Sequence, residues 1–307
     1  MSLRIEQLVD CENYLGEGPV WDLKSGFLYW VDGTGRRQGK DNVFRMETGS
    51  GRLESRSIPD HDVGAIAVRE NGGLVAAMDD GFYFYDFDTG DLELIAAIEA
   101  DQPRTRLNDG KTDRAGRFIA GGMDDREELA ICGLWRLDAD LSVTRIGGDI
   151  ICTNGPCFSP DDKTFYVTDT FQEEIWAHDY DIETGAISNR RTFASTKGGL
   201  GICDGSTIDA EGYMWTAELV TGELVRRAPD GVIERRIGMP VKNITSVTFG
   251  GEDMDALYVT TMARIDHPGA AAHGRFAVET SPQFGAGSLF KVTGLGIRGI
   301  PEPRFGG

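Results

Sequence analysis

The sequence predicts an all-β fold, a six-bladed β-propeller formed as one domain over residues 1–307. Two observations predict it. A short turn followed by an apolar, β-rich run recurs as SGFLYWVD, NGGLVAAMD, AGRFIAGGMD, DDKTFYVTD, EGYMWTAEL and MDALYVTTM. Its anchor residues Leu28, Leu74, Phe118, Phe165, Met214 and Leu257 are spaced by 43 to 49 residues, the size of one propeller blade. A second series follows each anchor: NVFRMETGSGRL, FYFYDFDTGDLEL, GLWRLDADLSV, EIWAHDYDIETGAI, ELVRRAPDGVI and, more distantly, SLFKVTGLG. In most of these a DxxTG or PDG turn separates two strands, which is a hairpin signal.

Taken in order, RIEQLVD near the N-terminus is expected to add a strand to the last blade and close the ring, leaving only short, protected edges. Each repeat then supplies about four short strands. DDREELAI (124–131) is the one stretch with the pattern of a short helix, and HPGAAAHGRFAVETSPQFGAGS (267–288) reads as a long connection in the final blade. An irregular β-sandwich is the competing architecture; six regular intervals count against it.

Composition agrees. Forty-one glycines in 307 residues are about twice the usual share, yet 40% of the chain is hydrophobic, which fits many tight turns between short strands and not a disordered chain. Fifty Asp and Glu against 31 Lys and Arg give a net charge of −19, which repels phosphate backbones and anionic lipid surfaces, so neither nucleic acid nor membrane is an expected partner. MSLRIEQLVD lacks the apolar core of a signal peptide, and no apolar run approaches the roughly 20 residues that span a bilayer. Five cysteines, an odd number with no CxxC pair, argue against a disulfide framework and for a reducing compartment, the cytoplasm. A closed propeller is self-sufficient, so a monomer or weak homo-oligomer is expected.

The strand that opens each repeat carries the chemistry. These segments read GEGPVWD, VGAIAV, LNDGKTD, TNGPCFSPD, ICDGSTID and ITSVTFGG. Four place an acidic or amide residue directly before glycine: Glu17, Asp109, Asn154 and Asp204. Glu17, Asn154 and Asp204 lie 11, 11 and 10 residues ahead of their anchors, so the three converge on the propeller axis. Converging carboxylates repel, and a cation is the simplest compensation. Two carboxylates and an amide oxygen, without His or Cys, form a hard site that favours Ca²⁺, Mg²⁺ or Mn²⁺ over Zn²⁺. The plainer reading is turn chemistry copied with the repeat, since D-G and N-G usually mark turns.

GEGPVWD, RLNDGK, NGPCFSPDDKTFYVTDT, GICDGSTIDAEGYMW, TSVTFGG and SLFKVTGLG resemble the gluconolactonase/regucalcin (senescence marker protein) family, from about Leu15 to Gly299. The resemblance implies a six-bladed propeller with one divalent metal ion in its channel, Ca²⁺ foremost, with Zn²⁺, Mn²⁺ or Mg²⁺ admissible. It implies hydrolysis of a small sugar lactone, of the gluconolactone or arabinonolactone type, to the aldonic acid. It also places metal ligands at Glu17, Asn154 and Asp204, substrate contacts at Arg106 and Asn108 of RLND, and the acid/base group at Asp204. A non-enzymatic calcium-binding or regulatory protein and a propeller hydrolase of other esters are the alternative readings.

The sequence departs from the family pattern at GGMDDREELA. A substrate-contacting glutamate is common after this segment; here an ungapped count gives Arg126, and Glu127 or Glu128 takes the place after a small shift. We therefore take Arg126 and Glu128 as candidate substrate contacts. DGTGRRQGKDN brings Arg36, Arg37 and Lys40, which would suit an anionic substrate if the loop covers the channel mouth; a solvated loop is the plainer reading. Cys152, Cys157 and Cys203, near the candidate ligands, read as small apolar filler. His61, His178, His267 and His273 have no metal-ligand spacing, and the aromatic residues read as core.

Overall fold

The computed structural model describes residues 2–34, 39, 42–263 and 283–307, and among these it contains 24 strands and no helix. After β1 (Arg4–Asp10), the first blade is β2 (Gly16–Asp22), β3 (Phe27–Asp32), β4 (Val43–Glu47) and β5 (Arg52–Arg56). The second is β6 (Val63–Val68), β7 (Leu74–Met78), β8 (Gly81–Tyr85) and β9 (Leu92–Ala97); the third is β10 (Thr105–Thr112), β11 (Phe118–Asp124), β12 (Cys132–Leu137) and β13 (Val143–Ile150). The fourth is β14 (Thr153–Phe158), β15 (Thr164–Asp169), β16 (Glu174–Asp181) and β17 (Ala186–Ser195); the fifth is β18 (Ile202–Ile208), β19 (Met214–Leu219), β20 (Glu223–Arg227) and β21 (Ile233–Gly238). The sixth is β22 (Ile244–Gly250), β23 (Ala256–Thr261) and β24 (Ser288–Thr293), completed by β1 running antiparallel to β24. The N-terminal strand thus closes the ring as expected, and the whole is a six-bladed β-propeller.

All six anchors fall on the second strand of their blade and are fully buried. Core clusters form between adjacent blades, where period-2 apolar faces of neighbouring sheets meet. Four of the five tryptophans are buried: Trp21 of blade 1 stacks on Tyr258 of blade 6, ring centroids 5.8 Å apart, and Trp30 stacks on Phe44 at 5.3 Å, while Trp135 is half-buried. The outer hairpins turn as the sequence predicts. In DFDTG the Asp86 carboxylate accepts the N–H groups of Asp88 and Thr89, and Gly90 adopts φ +82°, a conformation that a Cβ would strain.

DDREELAI is not a helix. The buried Asp124 carboxylate accepts the N–H groups of Arg126, Glu128 and Leu129 and pairs with Arg104, and Glu127 sits at φ +60°. A side chain that takes three local N–H groups together with a left-handed residue gives the backbone a turn in place of a helix. Residues 264–282 and Arg36, Arg37 and Lys40 lie outside the described residues, and with them His267, His273 and the proposed mouth loop.

The first strands of the blades, β2, β6, β10, β14, β18 and β22, contact one another in sequence around a closed ring and line the channel. The C-terminal segment crosses one end of that channel. Gly299 bridges to Asp209 of blade 5, Ile300, Pro301, Glu302 and Pro303 line the floor, and Phe305, fully buried, bridges to Arg69 of blade 2. Lys111 of β10 meets Glu302 at 2.7 Å there.

Candidate metal centre in the channel

Strand register defines which residues are equivalent. The anchors pair with Trp21, Val68, Thr112, Phe158, Ile208 and Phe249. Counting back the same distance along each inner strand gives Glu17, Gly64, Asn108, Asn154, Asp204 and Thr245. Glu17, Asn154 and Asp204 are therefore true equivalents. In blade 3 the equivalent of Glu17 is Asn108, and Asp109 comes one residue later, at the place held by Gly18, Gly155 and Gly205 elsewhere.

Every inner strand carries one extra residue at this point. The register slips between Glu17 and Val20, Val63 and Ala65, Leu107 and Asp109, Asn154 and Cys157, Cys203 and Ser206, and Ile244 and Ser246. These are β-bulges, which re-aim a side chain within a strand. The E-G, N-G and D-G pairs are thus bulge chemistry and not hairpin turns. Gly18 and Gly155 adopt φ +52° and +54°, which few other residues tolerate. Gly64 has a different reason: a Cβ there would lie 2.2 Å from the Asn108 carbonyl oxygen, so blade 2 has no space for a ligand side chain.

The electrostatics of the site are those of crowded carboxylates. Burial, then Asp204 and Asp109, push the Glu17 carboxyl well above its ordinary pKa, against the Gly18 N–H and Arg106. Burial and then Asp109 do the same to Asp204. Burial raises Asp109 to about 6, even though the N–H groups of Gly155 and Gly110 donate to it, each at 2.7 Å. Among the described residues no ion pair reaches Glu17 or Asp204. Nor do the three carboxylates clump: among the described residues the one trio of His, Cys, Asp or Glu ligand atoms within 4.8 Å of one another is His61, Asp79 and Asp80, a cluster that forms only when the approach to β6 lies beside the end of β7 and so cannot be read from spacing.

Asn154 completes the donor set. Its Nδ2 donates to Thr170 Oγ1 at 2.8 Å, and Thr170 Oγ1 donates onward to the Cys203 carbonyl at 2.9 Å. That chain fixes which end of the amide is nitrogen, leaving Oδ1 to accept from Asn108 Nδ2 at 3.2 Å. Two carboxylates that repel each other, plus an oriented amide oxygen, fit a hard divalent cation.

The remaining candidates divide. Asn108 Nδ2 is committed to β14, donating also to the Thr153 carbonyl at 2.8 Å. Arg106 is buried, its Nε 3.3 Å from Asp125 and its charge acting on Glu17. Arg126 is exposed, and Glu128 is exposed and held 2.8 Å from Arg104. Glu127, by contrast, is buried and acts on Cys152, which lies 3.6 Å from Asn154 Nδ2. Sequence counting alone could not separate these three neighbours. It also passed over the acidic residue that ends the second strand of a blade: Asp32 accepts the N–H groups of Tyr14 and Leu15, and Asp169 those of Ile151 and Cys152, which seats the chain just ahead of Glu17 and Asn154. All five cysteines are free, and burial raises Cys203 to about 12, as suits inert filler.

Comparison with known proteins places this geometry in context. Residues 15–263 match the family described as SMP-30/Gluconolactonase/LRE-like region. Regucalcin of Danio rerio is 36% identical over 309 residues, covering 100% of this chain and 99% of its own. A pentonolactonase of Haloferax volcanii is 35% identical over 302 residues, covering 98% of each chain. Among solved structures, a calcium-binding protein, regucalcin, from Agrobacterium tumefaciens superposes with TM-score 0.84 at 29% identity, covering 97% of this chain and 96% of the other. With its six bladed repeats and its channel bulges, the chain belongs to the SMP-30/gluconolactonase/LRE-like family.

Proposed function

We propose that the protein hydrolyses a sugar lactone, of the gluconolactone or arabinonolactone type, to the aldonic acid, using one divalent metal ion held by Glu17, Asn154 and Asp204. The observation that carries this reading is the placement of Glu17 and Asp204, buried without an ion pair among the described residues and raised by burial and neighbouring carboxylates, at register-equivalent bulges beside an oriented Asn154. The pentonolactonase and regucalcin relatives support it, and the calcium-binding description of the Agrobacterium regucalcin favours Ca²⁺ over Mg²⁺, Mn²⁺ or Zn²⁺.

When bound, the metal supplies Lewis acidity to the lactone carbonyl and lowers the pKa of a water. Asp204 takes the proton of the attacking water as the new C–O bond forms, and returns it to the ring oxygen as the ester C–O bond breaks. Arg106 and the amide oxygen of Asn108 orient the sugar hydroxyls, worth up to several kcal/mol of the barrier through alignment alone. Arg126 and Glu128 serve at the rim of the mouth, and Glu127 is the better-buried candidate for a substrate contact.

The test is proton release on gluconolactone, galactonolactone, arabinonolactone and a uronic-acid-derived lactone, with chelator-stripped protein and after restoring Ca²⁺, Mg²⁺, Mn²⁺ or Zn²⁺. Metal-restored turnover that Asp204→Ala abolishes is the expected result. Metal binding without turnover on any lactone favours a calcium-binding regulatory protein instead.

A further inference from the structure

The three candidate ligands share a feature that lies outside the ligand set itself. In each case the backbone carbonyl of the residue just before the ligand accepts a side-chain hydrogen bond from the preceding blade. Thr245 Oγ1 of blade 6 donates to the carbonyl of Gly16, ahead of Glu17. Asn108 Nδ2 of blade 3 donates to the carbonyl of Thr153, ahead of Asn154. Thr170 Oγ1, on the loop after β15 of blade 4, donates to the carbonyl of Cys203, ahead of Asp204.

Two of these donors, Thr245 and Asn108, stand at the position equivalent to the ligands in their own blades. In blade 4 that position is Asn154, itself a ligand, so it cannot spend its side chain in the same way. The bond is relayed instead: Asn154 Nδ2 donates to Thr170 Oγ1, which donates to Cys203. Thr170 thereby sets the Asn154 amide and the Asp204 bulge with one hydroxyl. Thr245 has the simpler role: its hydroxyl donates to the Gly16 carbonyl, with the Thr260 hydroxyl 3.0 Å away. Both threonines are buried, at 6% and 0% exposure. A bulge is the one point of the inner strand where ladder pairing lapses, so its geometry needs an outside restraint.

We propose that Thr170 and Thr245 are positioning residues for metal binding, clamping the Asp204 and Glu17 bulges from the neighbouring blade. This rests on the reading of Glu17, Asn154 and Asp204 as metal ligands. Val is close to Thr in shape and removes only the hydroxyl's bonding, so the variants Thr170→Val and Thr245→Val test the clamp, with Thr170→Ser and Thr245→Ser as the rescues. The readouts are Ca²⁺ affinity by calorimetry on chelator-stripped protein, and the melting temperature with and without saturating Ca²⁺.

The expected result is a Ca²⁺ affinity at least tenfold weaker in each Val variant, within about threefold of wild type in each Ser variant, with a smaller Ca²⁺-induced rise in melting temperature. Thr170→Val, which also frees the Asn154 amide, is expected to exceed Thr245→Val. Val variants that bind Ca²⁺ like wild type, or that lose melting temperature equally with and without Ca²⁺, overturn the clamp while leaving the ligand set intact. A wild-type protein that binds no Ca²⁺ overturns both, and is recognised before any variant is measured.

Discussion

The two ends of the channel answer the same physical problem differently. Strand β10 passes through both. Toward the floor it carries Lys111, which is buried yet held above its ordinary pKa because Glu302 of the C-terminal segment, 2.7 Å away, outweighs the burial. Toward the site it carries Asp109, two residues earlier, which with Glu17 and Asp204 makes three buried carboxylates that the charges of Lys111 on Asp109 and Arg106 on Glu17 offset in part, without an ion pair among the described residues to Glu17 or Asp204. One end is a matched ion pair; at the other, carboxylates outnumber the cations that act on them. Buried charge is retained when it is paired or binds an ion, and this difference is what the proposed metal site rests on. It also explains why the C-terminal segment is anchored so firmly, by buried Phe305 and by the Arg304 pair with Asp22 at 2.6 Å: it supplies the counter-charge and closes the floor.

The comparison can be broken in four places. The largest effect is expected at the unpaired end. Asp204→Ala should remove metal binding and lower lactone turnover by three orders of magnitude or more, with little loss of metal-free stability, because it relieves repulsion; hydrolysis assays and melting curves check both. At the paired end the order reverses. Glu302→Ala strands Lys111 and should cost about 3 kcal/mol of stability by denaturant unfolding, whereas the double change Lys111→Met with Glu302→Leu should recover most of it.

Asp109 gives the third test. Its folded pKa of about 6 lies above the ordinary 3.8, so the folded chain keeps a proton that the unfolded chain releases. Its contribution is therefore full below pH 4 and is lost as pH rises toward 6, a fall of about 2 to 3 kcal/mol in the metal-free protein. Unfolding measured across that window should show a shallower fall in Asp109→Asn. The smallest effect is expected for Arg106→Lys, which keeps the charge but loses the planar fork: about a tenfold rise in KM, near 1.4 kcal/mol, with kcat less affected.

Much of this was legible in the chain. The six anchors set the blades, RIEQLVD closed the ring, and offsets of 10 or 11 residues singled out Glu17, Asn154 and Asp204. What the chain did not reveal depends on contacts between segments far apart. The bulges appear only when the inner strand is paired, because one extra residue is invisible until its partner strand is counted; that is why Asp109 grouped with the ligands in sequence but Asn108 holds their position in register. DDREELAI reads as a helix by pattern, yet the bonds from Asp124 decide it, and these depend on Arg104 holding that carboxylate charged. The floor is hidden for the same reason, since Lys111 and Glu302 are far apart along the chain.

The most direct test of the contrast between the two ends is a calorimetric titration of Ca²⁺ into chelator-stripped wild type, Asp204→Asn and Glu302→Ala. The account predicts one ion per chain in wild type, no detectable binding in Asp204→Asn, and wild-type stoichiometry in Glu302→Ala. Undiminished binding in Asp204→Asn would contradict it and place the metal elsewhere.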